Sequence, residues 1–138
     1  MSLGVMLVTG GSRGIGEAVA VMAAQRGHDV VLSYATNEAR GAAVVEKIRA
    51  AGGRAVAVKA DTGVESDIER LFAAVDARGR LTSLVYNGGI TGPHSTLAEA
   101  TTATIDDVLN VNLRGAILCS RAAIRRMSTR LGGQGGAI

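Results

Sequence analysis

The chain alternates between short apolar runs and longer stretches with apolar residues at helical spacing, and glycine or capping residues mark most of the junctions. Val5 to Thr9 is a compact apolar run that ends in a glycine cluster. From Ile15 to Gln25 the apolar residues Ile15, Val19, Met22 and Ala23 recur at helical spacing, which predicts a strand, a tight turn and a helix. Val30 to Tyr34, approached through Gly27, predicts a second strand. Thr36 or Asn37 can cap a helix that carries Val44, Val45 and Ile48 and stops at Gly52 and Gly53. Ala55 to Ala60 is a third strand, and Ser66 to Glu69 matches a Ser-x-x-Glu capping box. The helix that follows presents Ile68, Leu71, Phe72 and Val75 before Gly79.

Leu81 to Tyr86 is a fourth strand that runs straight into Gly88 and Gly89, followed by a loop holding the lone proline, Pro93. Thr104, with Asp107 three residues on, is placed to start a long helix with Val108, Val111, Leu113, Ile117, Leu118, Ala122, Ile124 and Met127. Gly132 to Gly136 is a glycine-rich loop, and Gly135-Gly136-Ala137-Ile138 has the look of the entrance to a fifth strand. Strand and helix alternate without other repeats. That pattern implies an α/β domain, a doubly wound parallel sheet with right-handed crossovers.

Composition narrows the class. Of 138 residues 19 are glycine, 47% are apolar and 20% are charged, which argues for a folded chain over a disordered one. The only aromatics are Tyr34, Phe72 and Tyr86, too few for the stacking platforms of a single-stranded nucleic-acid binder. The net charge of +3 is a mild excess of surface arginine, and no nucleic-acid partner is expected from it. Arg121, Arg125, Arg126 and Arg130 sit at helical spacing, where they suit the negative end of a helix dipole. A single cysteine, Cys119, in an apolar helical stretch is read as a buried thiol, and a cytoplasmic setting is expected. No membrane partner is expected, because no apolar run approaches the roughly 18 residues of a span and the first residues lack a signal-peptide pattern. His28 and His94 have no metal-ligand spacing, so no metal is expected and both are read as surface or loop residues.

In an open parallel sheet, ligands gather at the carboxyl ends of the strands. The first such turn is Thr9-Gly10-Gly11-Ser12-Arg13-Gly14-Ile15-Gly16, with Gly-x-x-x-Gly-x-Gly spacing in place of the commoner Gly-x-Gly-x-x-Gly. Gly10 permits a sharp exit from the strand, Gly14 a close approach to a pyrophosphate, and Gly16 tight packing of the helix on the sheet. At the end of the second strand a carboxylate would accept hydrogen bonds from an adenosine ribose and repel a 2′-phosphate. That position, about twenty residues beyond Gly14, is Tyr34, followed by Ala35 and Thr36. Arg13 offers a guanidinium that can pair with a phosphate, so NADP(H) is favoured over NAD(H).

The Thr-Gly-x-x-x-Gly-Ile-Gly turn resembles the cofactor motif of the short-chain dehydrogenase/reductase family. Later segments agree with it. Tyr86-Asn87-Gly88-Gly89 is similar to the family's Asn-Asn-Ala-Gly segment, with Tyr86 and Gly88 as departures. Asn110-Val111-Asn112-Leu113 resembles the helical segment whose second Asn joins the active site, and Asp61-Thr62 stands where the family has an Asp near adenine. Within the family the likeness is greatest to acyl-carrier-protein reductases and sugar dehydrogenases.

The resemblance implies that Gly10, Ser12, Arg13, Gly14, Ile15 and Gly16 hold the pyrophosphate and adenosine side. It implies that Asp61 and Thr62 border the adenine, and that Asn87, Gly88 and Gly89 pass the ribose and nicotinamide. Asn112 would support an active-site water and the proton-relay Lys. By itself Asn112 could equally bend its helix, Asp61 could be a plain turn residue, and Tyr86 is read as a packed strand residue. The activity implied is hydride transfer between a nicotinamide and a small-molecule carbonyl or alcohol. The family's Ser and Tyr-x-x-x-Lys are missing from these residues, since Glu38 and Ile90 stand four positions after the two tyrosines. Residues 1–138 are therefore expected to be the N-terminal part of a single dinucleotide-binding domain, cut at the start of strand five and inactive alone. The alternative is a non-catalytic nucleotide-binding or interaction chain, although an unpaired fourth-strand edge would be an aggregation hazard. A homo-oligomer is expected of the full-length protein, with Ile117, Leu118, Ala122 and Ala123 forming either a subunit contact or ordinary packing onto the sheet.

Overall fold

A computed structural model describes residues 1–138. Four strands, β1 (Val5–Thr9), β2 (Asp29–Tyr34), β3 (Arg54–Lys59) and β4 (Leu81–Tyr86), form one sheet in the order β3-β2-β1-β4. Every pairing is parallel, from Val5 opposite Asp29 to Tyr34 opposite Lys59, with one irregularity between Val5 and Met6 on the β4 side. The helices are α1 (Gly14–Gln25), α2 (Glu38–Ala50), α3 (Glu65–Asp76), α4 (Thr102–Leu109) and α5 (Gly115–Met127).

Alternate residues of a strand face opposite sides, so a sheet covered on both faces needs continuous apolar strands. All six residues of β2 are buried. On one face Val5, Leu7, Val31 and Leu84 pack with Ile68, Leu71, Phe72 and Val75 of α3 and Leu118, Cys119, Ala123 and Met127 of α5. On the other, Val8, Val30 and Leu32 pack with Ala20, Ala23 and Ala24 of α1 and Val44, Val45 and Ile48 of α2. Two cores on two faces make the sheet doubly wound. Beyond β4, Ala137 accepts from the Leu84 N–H at 3.0 Å and donates to the Thr82 carbonyl at 3.1 Å, a parallel bridge where the fifth strand is expected.

Three helix boundaries differ from the sequence reading. The capping box at Ser66 does not form: α3 starts at Glu65 after an extended Val64 with no side-chain cap. The Asp67 carboxylate turns back to the Asp61 N–H at 2.9 Å, so the preceding turn decides where this helix begins. The long helix begins at Thr102, because Thr101 is extended and its hydroxyl accepts from the Thr104 N–H at 3.2 Å. The same helix is interrupted by a π turn at Asn110–Arg114 before it resumes as α5. Of the two candidate caps for α2, Asn37 is the one used, accepting from the Arg40 N–H at 3.0 Å.

The arginine run does more than face a helix dipole. Arg126 grips both Asp76 carboxylate oxygens at 2.7 Å and lies over the Phe72 ring, while Arg121 reaches Glu65 at 2.8 Å, so both tie α5 to α3. The stripe expected on this helix divides: Leu118 and Ala123 are buried against the sheet, and Ile117 is exposed. His28 lies in the loop between α1 and β2, half-buried, with its Nδ1 enclosed. Cys119 is fully buried, and burial pushes its thiol up to about 12. No helix is long and apolar enough to cross a membrane.

Candidate cofactor site

The strand order reverses between β1 and β4, and the crevice above their carboxyl ends is the natural ligand position of such a sheet. A cleft of about 1270 Å³ opens there. Its walls come from the turn after β1, the ends of β2 and β3, the loop after β4 and the first residues of the π turn.

The turn after β1 is held from both sides. The Gly10 N–H donates to the Ser33 hydroxyl at 3.1 Å, and the Gly11 N–H donates to the Ser33 carbonyl at 2.9 Å. From the other side, Asn87 donates its side-chain amide to the Gly10 carbonyl at 3.0 Å. The Thr9 hydroxyl accepts the N–H groups of both Asn87 and Gly88, at 3.0 and 3.1 Å. Gly10 has φ +64°, and a Cβ on it would stand 2.9 Å from the Gly88 Cα, so the two glycine turns touch backbone to backbone.

Helix α1 then begins with its N-terminus facing the cleft. Arg13 occupies the capping position and supplies no side-chain cap, which leaves the N–H groups of Gly14, Ile15 and Gly16 without that partner. An uncapped first turn with the positive end of the helix dipole suits a phosphate. Ile15 stands 78% exposed in the cleft. Gly16 is buried behind it, because a Cβ there would collide with the Gly10 carbonyl and the Asn87 amide.

At the end of β2, Tyr34 is buried and is followed by exposed Ala35, Thr36 and Asn37 in the cleft wall. Arg40, which the sequence reading did not single out, lines the same corner. Its only signal was its place in the first turn of the helix after that strand. Neither Arg13 nor Arg40 takes part in an ion pair, so two free guanidinium groups border a corner where β2 ends without a carboxylate.

On the opposite side, Asp61 closes a turn by accepting the Gly63 N–H on Oδ1 at 2.8 Å. This is the turn role left open for it, and the residue also faces the cleft. The Asp61 N–H and the Arg70 guanidinium beside Asp67 hold the Asp67 carboxyl below its usual range. Thr62 is buried and hydrogen-bonded to the Tyr86 hydroxyl at 3.0 Å, while Tyr86 also bonds the Val111 carbonyl. Tyr86 is thus a packed residue, and burial pushes its phenol up.

Of the residues expected from sequence, Gly10, Ser12, Arg13, Gly14, Ile15, Tyr34, Asp61, Thr62, Asn87, Gly88 and Gly89 all line this one cleft. Asn112 does not line it. Its amide clamps Ile90, accepting from the Ile90 N–H at 2.8 Å and donating to the Ile90 carbonyl at 2.7 Å, and Ile90 forms part of the wall. No cluster of His, Cys, Asp and Glu side chains is arranged to hold a metal ion.

Comparison with known proteins agrees with this geometry. The short chain dehydrogenase family model matches residues 4–138. The uncharacterized oxidoreductase YgfF of Escherichia coli is 40% identical over 137 residues, covering 99% of this chain and 56% of that protein. L-rhamnose 1-dehydrogenase (NAD(P)(+)) of a Sphingomonas species is 37% identical, covering 96% of this chain and 52% of that one. Among solved structures, a short chain dehydrogenase of Burkholderia cenocepacia in complex with NADP superposes with a TM-score of 0.85 at 41% identity, covering 91% of this chain and 51% of that chain. The chain spans about half the length of these relatives. With the doubly wound sheet, the two touching glycine turns and a family match over nearly its whole length, the chain belongs to the short-chain dehydrogenase family.

Proposed function

We propose that residues 1–138 form the cofactor-binding half of an NADP(H)-dependent oxidoreductase acting on a small-molecule carbonyl or alcohol. One observation carries this reading: the uncapped N-terminus of α1 opens at the sheet's switch point, with the unpaired Arg13 and Arg40 near the end of β2. The free N–H groups of Gly14, Ile15 and Gly16, with Gly10 and Ser12 beside them, would hold the pyrophosphate. Arg13 and Arg40 would pair with the 2′-phosphate past Tyr34, where no acid repels it. Asp61 and Thr62 would border the adenine. Asn87, Gly88 and Gly89 would face the ribose and nicotinamide.

When bound, the nicotinamide supplies the hydride chemistry. The residues of this chain position it. Asn112 holds the wall at Ile90 at the nicotinamide end, while Thr9 and Asn87 keep that wall in register with the phosphate turn. The Ser and Tyr-x-x-x-Lys of the proton relay are not among these residues, so 1–138 alone would bind NADP(H) weakly or not at all and would not turn over. Leu109, Leu113 and Ile117 are more than half exposed at four-residue spacing, which supports self-association of the full-length protein through this helix.

The reading is tested by following NADPH oxidation by the full-length protein across a panel of small aldehydes, ketones and β-ketoesters. Carbonyl-dependent oxidation of NADPH supports it. Tight NADPH binding without turnover on any carbonyl or alcohol would favour the non-catalytic alternative.

A further inference from the structure

Tyr86, the last residue of β4, is one of the two places where the segment departs from Asn-Asn-Ala-Gly, and its hydroxyl lies where three elements meet. In an α-helix the N–H of residue i pairs with the carbonyl of residue i−4. In the π turn the Gly115 N–H pairs instead with the Asn110 carbonyl, five residues back. The Val111 carbonyl, which would be the α-helical acceptor of that N–H, takes the hydroxyl of Tyr86. A carbonyl only accepts, so the single phenolic proton goes to Val111 and the Thr62 hydroxyl donates to Tyr86 in return.

The space for this arrangement is specific. A Cβ on Gly115 would stand 2.6 Å from the Tyr86 hydroxyl, so any larger residue there would push the phenol out. A second bond closes the same junction, from the Asn110 amide to the Gly63 carbonyl at 2.9 Å. Asn112 sits in the middle of the π turn, and its two bonds to Ile90 depend on where that turn points it. Changing the helix by one residue of register rotates a side chain by about 100°. Collapse of the π turn to α-helical pairing would therefore turn the Asn112 amide away from Ile90.

We propose that Tyr86 is a positioning residue: by occupying the Val111 carbonyl it keeps the π turn open, and so holds Asn112 on Ile90 and ties that wall of the cleft to Thr62 opposite. Only the consequence for a cofactor rests on the function proposed above. The backbone readout does not, so the two fail separately.

The experiment is amide hydrogen exchange by NMR on the full-length protein, comparing Tyr86→Phe, which keeps the ring and removes the hydroxyl, with Thr82→Val. Thr82 also donates a hydroxyl to a strand carbonyl, Val5 at 3.1 Å, at the far end of β4. In Tyr86→Phe the Ile90 N–H is expected to exchange about tenfold faster relative to the Leu7 N–H of β1, whereas Thr82→Val leaves that ratio within about twofold. Because both residues act through one chain of contacts, Tyr86→Phe combined with Asn112→Ala is expected to exchange at Ile90 no faster than Asn112→Ala alone. Should Tyr86→Phe fail to fold, Thr62→Val serves in its place, with about threefold faster exchange at Ile90 expected. An Ile90 rate that rises only in step with Leu7, or additive effects in the double variant, would overturn the proposal. An NADPH titration of the unsubstituted protein reports separately on the cofactor reading.

Discussion

Asn87 reaches across 77 residues of sequence to place its side-chain amide 3.0 Å from the Gly10 carbonyl, joining the turn after β1 to the turn after β4. This bond spans the switch point of the sheet and, together with the Thr9 hydroxyl that accepts the Asn87 and Gly88 N–H groups, fixes the two halves of the cleft. Replacing Asn87 by Ala leaves the Gly10 carbonyl without its partner and frees the two turns to move apart. A loss of stability of about 1–2 kcal/mol is expected, read by urea unfolding, with NADPH binding weakened about tenfold or more. Full retention of binding would show that the cleft does not need this link.

Gly10 makes a related demand on the backbone. With φ at +64° and the Gly88 Cα in the way, Gly10→Ala is strained both locally and across the turn. About 1–3 kcal/mol of destabilisation is expected, again from urea unfolding, together with loss of NADPH binding.

Arg13 and Arg40 carry the cofactor choice in this account. Arg40→Ala is expected to weaken NADPH binding about tenfold and to leave NADH binding within about twofold, because only the former cofactor has a 2′-phosphate to pair with a guanidinium. Equal losses for both cofactors, measured by calorimetric titration, would place Arg40 outside the phosphate contact.

Asp67 couples the adenine-side turn to acid. Its folded carboxyl lies below the usual value of 3.8, chiefly through the Asp61 N–H. A lowered folded value means that the charged form stabilises the fold. The contribution is complete above about pH 5 and is lost as pH falls through 3.8 toward the folded value. Asp67→Asn should therefore unfold at a lower temperature than the unsubstituted protein at pH 7, with the difference shrinking toward pH 3. The carboxyl is partly exposed and its partner Arg70 lies at the surface, so the gap at pH 7 is expected to be small, under about 1 kcal/mol.

Cys119 gives a chemical check on the packing of α5 against the sheet. With its thiol raised to about 12 and no exposed surface, it should resist iodoacetamide at pH 8 in the folded protein and react in guanidinium. Rapid alkylation of the folded protein would mean that α5 does not cover the core as described.

Much of this was legible from the chain alone, for a physical reason. The four strands fall within a residue of their expected limits because a sheet buried on both faces needs largely apolar runs such as Val5 to Val8 and Val30 to Leu32. The glycine turn announced itself because Gly10 and Gly16 have no substitutes in their positions. What stayed hidden depends on contacts distant in sequence. Ser66 matches a capping pattern, yet the Asp61 turn outcompetes it. Arg40 joins the cleft only through the return of the chain after β2. The π turn at Asn110–Arg114 has no local signature, because the Tyr86 hydroxyl that meets Val111 comes from a strand 25 residues earlier.

The central claim is that this cleft is built for a dinucleotide bearing a 2′-phosphate. Parallel titrations of the full-length protein with NADPH and NADH, followed by calorimetry under the same conditions, test it most directly. NADPH is expected to bind about tenfold or more tightly than NADH, as an added charge-assisted contact allows. NADH binding about tenfold more tightly than NADPH would contradict the assignment.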